Sequence, residues 1–275
     1  MQDFENVMVL GVAGNFAGHL QQAGEADDFA AHGDGDINKP QALFPIYVPS
    51  INHSYLATYP LSHSVTKLPN DINNLQIEPE VVLLCDVSYH EGKVSKVTPT
   101  HFGAFNDCSI RRPNAKKISE KKNWGEESKG IAENLLPLGS LVPGSEIDRF
   151  RIASFHKRNG EVFAYGEDCS VSEYTYFYCQ LLDWIRDQMN HQTDLGPMEN
   201  IHALLGQANF PNQILVAIGA TRYTAYGEEH FLERGDVSMV AVYDSTVYEP
   251  NDISAMAQKG KFESDRLSHV VQCVS

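Results

Sequence analysis

The sequence is short of positive charge, of thiols and of long apolar runs, and each shortage argues against a class of function. Lysine and arginine number 21 against 36 aspartates and glutamates, a net charge of −15 with histidines neutral. Neutralising phosphates needs a basic face, so this balance argues against broad nucleic-acid binding and against docking on anionic membranes. The surplus is ordinarily a solubility feature, but it leaves open a divalent cation, which carboxylates hold. The five cysteines, Cys85, Cys108, Cys169, Cys179 and Cys273, are odd in number and widely scattered. No Cys-x-x-Cys and no Cys/His zinc spacing occurs, so reduced thiols in a cytoplasmic protein are expected. No stretch approaches the ~18 apolar residues of a membrane span. The start, MQDFENVMVLGVAGNFAGHL, lacks the basic leader and small-residue cleavage site of a signal peptide. No internal repeat, low-complexity tract or linker is visible. What is there is a globular composition of 275 residues, 42% hydrophobic and 10% aromatic, enough for one large domain or two small ones.

The pattern along the chain is strand-rich. Val7–Val12 and Ala42–Val48 read as strands, the second interrupted by Pro45. Val81–Ser88 is apolar almost throughout, which predicts a strand buried on both faces. Arg151–His156 and Val162–Tyr165 flank Arg158-Asn159-Gly160-Glu161, and Asn-Gly is a strong hairpin signal. Ser170-Val171-Ser172-Glu173 has capping-box spacing and predicts a helix over Tyr174–Met189. Pro197 and Gly206 bracket a further short helix, and Gln213–Gly219 and Val237–Val247 read as strands. The polar stretch from Arg111 to Lys129 is expected to be an exposed loop or lid. The sum predicts an α+β, mainly β fold rather than a βαβ series.

Few residues suggest chemistry by their spacing. Residues i and i+2 of an extended segment share a face, so the carboxylates of Glu78-Pro79-Glu80 can converge on one point, although the same spacing suits a surface pair ahead of a strand. Two like charges held together need a proton or a cation between them. Asn106-Asp107 follows a strand-like run ending at Phe105 and is, by spacing, a turn or a further acid. If Asp107 joined the pair, three carboxylates would make a hard-oxygen site suited to Mg²⁺ or Mn²⁺. His19 with Glu25 nearby is either structural or a base oriented by a carboxylate. The glycines Gly11, Gly14 and Gly18 are not spaced as G-x-G-x-x-G, and loop residues Asp34-Gly35-Asp36 follow where a second parallel strand should stand, which argues against a dinucleotide site. The same Asp34/Asp36 pair lacks the rest of a calcium loop and reads as a turn.

Taken in order, these pieces resemble the fumarylacetoacetate hydrolase (FAH) superfamily. Val12-Ala13-Gly14-Asn15-Phe16-Ala17-Gly18-His19 is similar to the family's Gly-x-Asn-Tyr-x-x-His signature, and Pro40-Gln41-Ala42-Leu43-Phe44 to its Pro-x-Leu-Phe segment. Glu78-Pro79-Glu80-Val81-Val82 resembles its metal-binding Glu-x-Glu, and Asn106-Asp107-Cys108-Ser109-Ile110-Arg111 its Asn-Asp-Val-Ser-Ala-Arg. Lys129-Gly130 followed by Leu136-Pro137-Leu138-Gly139 resembles its Lys-Gly…Cys-Pro-Leu-Gly. The Asn-Gly-Glu hairpin and Leu232 to Val237 follow in the family's order. The resemblance spans about residues 8 to 245, and the order of short motifs carries it.

The resemblance implies a mixed β-sandwich or roll around a central metal site. The chain is then one FAH-like domain over 1–275, with a smaller N-terminal part to about 65, a metal-binding β core from 66 to 250 and a C-terminal tail from 251. It implies Glu78, Glu80 and Asp107 as ligands of Mg²⁺ or Mn²⁺, Lys129 as partner of a substrate carboxylate or oxyanion, and His19, oriented by Glu25, as proton carrier. The substrate would be a small 2-oxo or 1,3-dicarbonyl acid undergoing C–C hydrolysis, decarboxylation or tautomerisation, and the protein a homodimer. Four departures qualify this. The family's catalytic acid stands three residues after the histidine, where this chain has Gln22. No lysine matches at Pro45-Ile46-Tyr47, and the Lys129-to-Pro137 interval is one residue longer. The late Thr-Gly-Thr-Pro has become Ala217-Ile218-Gly219-Ala220-Thr221. The metal triad is intact while the substrate-facing parts are not, so the rival expectation is a non-catalytic metal- or ligand-binding protein on the same fold.

Overall fold

A computed structural model describes residues 4–25, 39–112, 115–263 and 265–275. The first half of the chain gives β1 (Met8–Ala13), α1 (His19–Gln22), β2 (Ala42–Tyr47), β3 (Leu61–Ser62), β4 (Val65–Thr66), β5 (Leu75–Gln76), β6 (Pro79–His90), β7 (Lys93–Asn106) and β8 (Ser109–Ile110). The middle gives β9 (Lys129–Ile131), β10 (Leu136–Pro137), β11 (Phe150–Arg158), β12 (Glu161–Ser170), α2 (Tyr178–His191) and α3 (Ile201–Gln207). The last part gives β13 (Gln213–Ala217), α4 (Ala225–Glu229), β14 (Val237–Asp244), α5 (Pro250–Lys259) and β15 (Leu267–Val274). The fold is α+β and mainly β, as the pattern predicts.

An eight-stranded sheet runs β2-β1-β13-β6-β7-β9-β3, with β10 also on β7. A five-stranded sheet runs β12-β11-β14-β15-β4, and β5 pairs with β8. β1 and β13 are parallel, while β6 lies antiparallel between β13 and β7. β6 explains its own position: its first seven residues are all buried, and exposure alternates only toward its far end. A strand in the middle of a sheet covered on both faces reads as continuously apolar. Its inner residues Val81 and Leu83 join the main core, and Val82 and Leu84 a second core on the opposite face. The stretch set apart as a tail supplies α5 and β15, the latter hydrogen-bonded between β14 and β4. No helix among the described residues is long and apolar enough to cross a membrane, and the five cysteines are free.

The β11–β12 hairpin turns at Asn159 (φ 53°) and Gly160 (φ 87°), the left-handed pair that Asn-Gly favours. The turn expected at Asp34 and Asp36 lies outside the described residues. Two expectations are corrected. The Ser170/Glu173 capping box exists, but it closes a single 3₁₀ turn at Val171–Glu173, and the helix starts only at Tyr178. The residues between have tertiary partners instead: Thr175 N donates to Asn15 O at 2.9 Å, Tyr176 N to Asn15 Oδ1 at 2.8 Å, and Tyr174 Oη to Gly219 O at 2.8 Å. The second correction concerns the stretch from Arg111 to Lys129, which folds inward. Ser119, Lys121, Lys122, Asn123, Ser128 and Lys129 are all buried. Lysines go inside only where carboxylates meet them, and the acid centre supplies those carboxylates.

Candidate metal centre

The β6–β7 ladder starts at Pro79 opposite Asn106, so Glu78 and Glu80 flank one strand's first residue while Asp107 leaves the end of the other. Asp107 N donates to Glu78 O at 3.0 Å, extending the ladder by one step. Proline has no N–H to contribute, so it suits a strand's first position. Glu78, Glu80 and Asp107 thereby converge: one carboxylate oxygen from each lies within 4.8 Å of the others, and all three residues are buried. Asn106 braces the strand end with its side chain, reaching Gln272 Oε1 at 3.1 Å. Gly130 fits beside it because any Cβ there would collide with the Gln272 side chain and stand 2.9 Å from Asn106 Cβ. That close approach explains why a glycine follows Lys129.

Four cations surround four acids. Arg111 Nη1 lies 2.7 Å from Glu78 Oε1 and 2.9 Å from Glu25 Oε1. Its Nε donates to Gln76 Oε1 at 2.6 Å and its Nη2 to Tyr223 Oη at 2.7 Å. Lys121 Nζ is 3.4 Å from Glu25 Oε1. Lys122 Nζ is 2.7 Å from both Glu78 Oε2 and Asp107 Oδ2. Lys129 Nζ is 3.3 Å from Asp107 Oδ1, donates to Cys108 O, and lies 4.5 Å from the centroid of the Trp124 ring. Glu80 alone has no ion pair among the described residues; its Oε2 accepts from Gly219 N–H at 2.7 Å.

The acids respond accordingly. Burial pushes Glu78 up, but Lys122 and Arg111 outweigh it and hold its carboxyl below the usual range. Burial, then the charge of Asp107, drives Glu80 well above the usual range. Asp107 is also raised, burial prevailing over Lys122 and Lys129. Lys122 keeps its proton because Asp107 and Glu78 outweigh its burial.

The donor set fits a hard divalent cation. Glu78 Oε1 and both Asp107 oxygens are buried without an aligned hydrogen-bond donor, although each has a positive nitrogen within 3.3 Å. These oxygens are held by positive charge rather than by aligned hydrogen bonds, and a divalent ion would take over that charge contact.

His19, at the start of α1, is buried and holds Thr221 O through Nδ1 at 2.9 Å. A carbonyl only accepts, so Nδ1 carries the proton and Nε2 is left as acceptor. Burial lowers its pKa to about 4, leaving it neutral near pH 7. Glu25 was expected to orient this ring; the Thr221 carbonyl does so, and the Glu25 carboxylate is taken by Arg111 and Lys121. Both residues still line one cavity of about 20 Å³, with Phe44, Glu78, Glu80 and Lys122. That volume holds about one water. Gln22, in place of the family's acid, is tied to the Tyr223 backbone on both sides and to Glu228 Oε1.

The altered Ala217–Thr221 segment acts through its backbone. Gly219, at φ 115°, aims its N–H at Glu80, and Thr221 O receives His19. Asn15 Nδ2 donates to Ile218 O at 2.8 Å and pins the segment to β1. The centre thus gathers every site residue that the sequence nominated, and adds Arg111 and Lys122. Arg111 ends the Asn-Asp-x-Ser-x-Arg run, which could have flagged it. Nothing in the sequence separates Lys122 from Lys116, Lys117 or Lys121.

The sequence matches the model of a family of unknown function (DUF5718) over residues 25–274. No curated protein matches it. Among solved structures, Cg1458 with inhibitor is 13% identical at a TM-score of 0.58, over 97% of this chain and 76% of that one. A 2-keto-3-deoxy-D-arabinonate dehydratase complexed with magnesium and 2,5-dioxopentanoate is 11% identical at 0.51, over 98% and 72%. A fumarylacetoacetate hydrolase family protein from Yersinia pestis CO92 is 12% identical at 0.51, over 98% and 94%. The fold is therefore shared, across nearly the whole chain, with structures described as fumarylacetoacetate hydrolase family proteins.

Proposed function

We propose, from the premise that the chain belongs to the family of unknown function DUF5718, that it is a divalent-metal-dependent hydrolase or lyase. Its substrate is a small 2-oxo or 1,3-dicarbonyl carboxylic acid, and the reaction is C–C hydrolysis, decarboxylation or tautomerisation. The observation that carries this reading is the convergence of three buried carboxylates, with three oxygens lacking aligned donors. Glu78, Glu80 and Asp107 would hold Mg²⁺ or Mn²⁺. When bound there, the ion supplies electrostatic stabilisation for the negative charge that all three reactions develop on an enolate oxygen, an effect strengthened by burial. A protein of the same fold, the arabinonate dehydratase, is complexed with magnesium and a dioxo acid.

The chain's own groups complete the scheme. His19 is neutral, its tautomer fixed by Thr221 O, and its Nε2 takes up or returns a proton at a substrate carbon or a water. Lys129 places positive charge beside the centre for a substrate carboxylate or oxyanion. Arg111 clamps Glu78 to Glu25 and fixes the direction of the first ligand.

A second reading, a non-catalytic metal- or ligand-binding protein, is favoured by Gln22 in place of the family's acid and by the one-water cavity. A turnover screen with oxaloacetate and acylpyruvates, in Mg²⁺ or Mn²⁺, tests the first. The expected result is metal-dependent consumption of at least one compound. Metal binding by calorimetry with no turnover across the panel gives the second reading.

A further inference from the structure

We propose that Lys122 is a built-in counter-cation of the acid centre, and that a divalent ion enters by displacing its ammonium group. This rests on the reading of Glu78, Glu80 and Asp107 as metal ligands. Both oxygens of Glu78 and both of Asp107 already face a positive group: Arg111 and Lys122 for the first, Lys129 and Lys122 for the second. A divalent ion therefore has to replace one of the three. Lys122 is the one that bridges two ligands, at 2.7 Å from each, so its departure frees an oxygen on both at once.

The other two are tied down elsewhere. Arg111 is fixed by Gln76, Tyr223 and Glu25 in addition to Glu78. Lys129 donates to the Cys108 carbonyl and lies over the Trp124 ring. Lys122, its side chain only 4% exposed, has as polar side-chain partners among the described residues the two ligand carboxylates, and its Nζ otherwise lies over the Phe44 ring at 5.1 Å.

The cavity gives a second, independent reason. Lys122 forms part of the wall of the space shared by His19, Glu25, Glu78 and Glu80, and that space is about 20 Å³, one water rather than a carboxylic acid. Withdrawal of Lys122 frees the ligands and enlarges the same cavity in one movement. Metal uptake and the making of room for substrate are then a single event.

A protein that must leave its favoured state to bind shows an affinity reduced by the population of the competent state. If the displaced state holds 1–10% of molecules, an ordinary range for a minor conformer, removing the ammonium tightens binding by about ten- to a hundredfold. The test is calorimetric titration of Mn²⁺ into the full chain, as wild type and as Lys122→Met, which keeps much of the side chain's apolar stem. Tighter binding by the variant, in that range, supports displacement. Equal or weaker binding by the variant overturns it while leaving the metal site standing. Absence of binding to either chain removes both the displacement and the metal reading. Should the variant not fold, a crystal structure of Mn²⁺-loaded wild type decides. Manganese among the three carboxylates with Nζ beyond the ~4 Å ion-pair limit from both Glu78 and Asp107 supports the proposal. Manganese there with Nζ still bridging them overturns it.

Discussion

Asp236, just ahead of β14, and Asp107, just past β7, are both buried carboxylates facing cationic side chains, and they are treated in opposite ways. Arg158 donates to Asp236 through Nε at 2.9 Å and Nη2 at 2.6 Å, and Glu233 N–H donates at 2.7 Å. Burial acts to raise the Asp236 carboxyl, but these aligned donors bring it below its ordinary range. Asp107 has ammonium groups at 2.7 and 3.3 Å, yet neither oxygen has an aligned donor, and burial prevails. The first carboxylate has aligned donors, with His156 Nε2 a further 2.9 Å from Oδ2, and the arrangement ties the turn at Arg234-Gly235 to β11. The second has charge nearly balanced but coordination unfilled, with Glu80 beside it lacking any ion pair among the described residues. Alignment, more than the count of charges, separates these two acids.

The largest effect that sharpens this contrast is on stability. Asp107→Asn removes a charge that Lys122 and Lys129 both face in a buried setting, and breaking such a pair costs about 3–5 kcal/mol. Asp236→Asn, where Arg158 is partly exposed and an amide oxygen can still accept, should cost less, about 1.5–3 kcal/mol. Urea unfolding of both variants checks the order, and a larger loss at Asp236 breaks the comparison.

Glu199 is an intermediate case, a buried acid with a hydroxyl partner, Ser119, rather than a cation. Burial lifts it to about 7, the Ser119 hydrogen bond opposing. Its folded value lies above its unfolded one near 4.5, so the folded state keeps a proton that the unfolded state releases. Its stabilising contribution is complete below about pH 4.5 and is lost as pH rises through 7, a span of at most about 3 kcal/mol. Asp236 acts in the other direction, contributing above its unfolded value near 3.8 and losing that contribution as pH falls. Buried His19 acts in the opposite sense below about pH 6.5, but equally in wild type and variant, so thermal melts from pH 5 to 8 should show wild type losing stability relative to Glu199→Gln. A difference between the two that stays constant over that range contradicts the assignment.

The parts of the fold written as local patterns were legible in the sequence. β6 announced itself by continuous apolarity, the β11–β12 turn by Asn159-Gly160, and the three converging carboxylates by motif order along the chain. What was hidden depends on partners distant in sequence. Tyr174 to Phe177 follow a capping box that signals a helix, but bonds to Asn15 and Gly219 hold Tyr174 to Tyr176 in a bend. Lys122 sits in a basic, polar run whose residues look solvated, because the carboxylates that let it be buried stand 15 and 44 positions earlier, at Asp107 and Glu78. Arg111 was visible as the end of a motif, but its fourfold grip on Gln76, Tyr223, Glu25 and Glu78 is a tertiary fact.

The smallest expected change in stability belongs to the most telling variant. Glu80→Gln removes a carboxyl that has no ion pair among the described residues, so the metal-free protein should keep its stability to within about 1 kcal/mol. Its ligand role should nevertheless vanish. Calorimetric titration of Mg²⁺ and Mn²⁺ into wild type and Glu80→Gln is therefore the direct measurement of whether this is a cation centre. One ion per chain in wild type, with affinity lost in a variant that remains folded, is the predicted result. An unchanged affinity in Glu80→Gln, or no binding to wild type at millimolar metal, would contradict it.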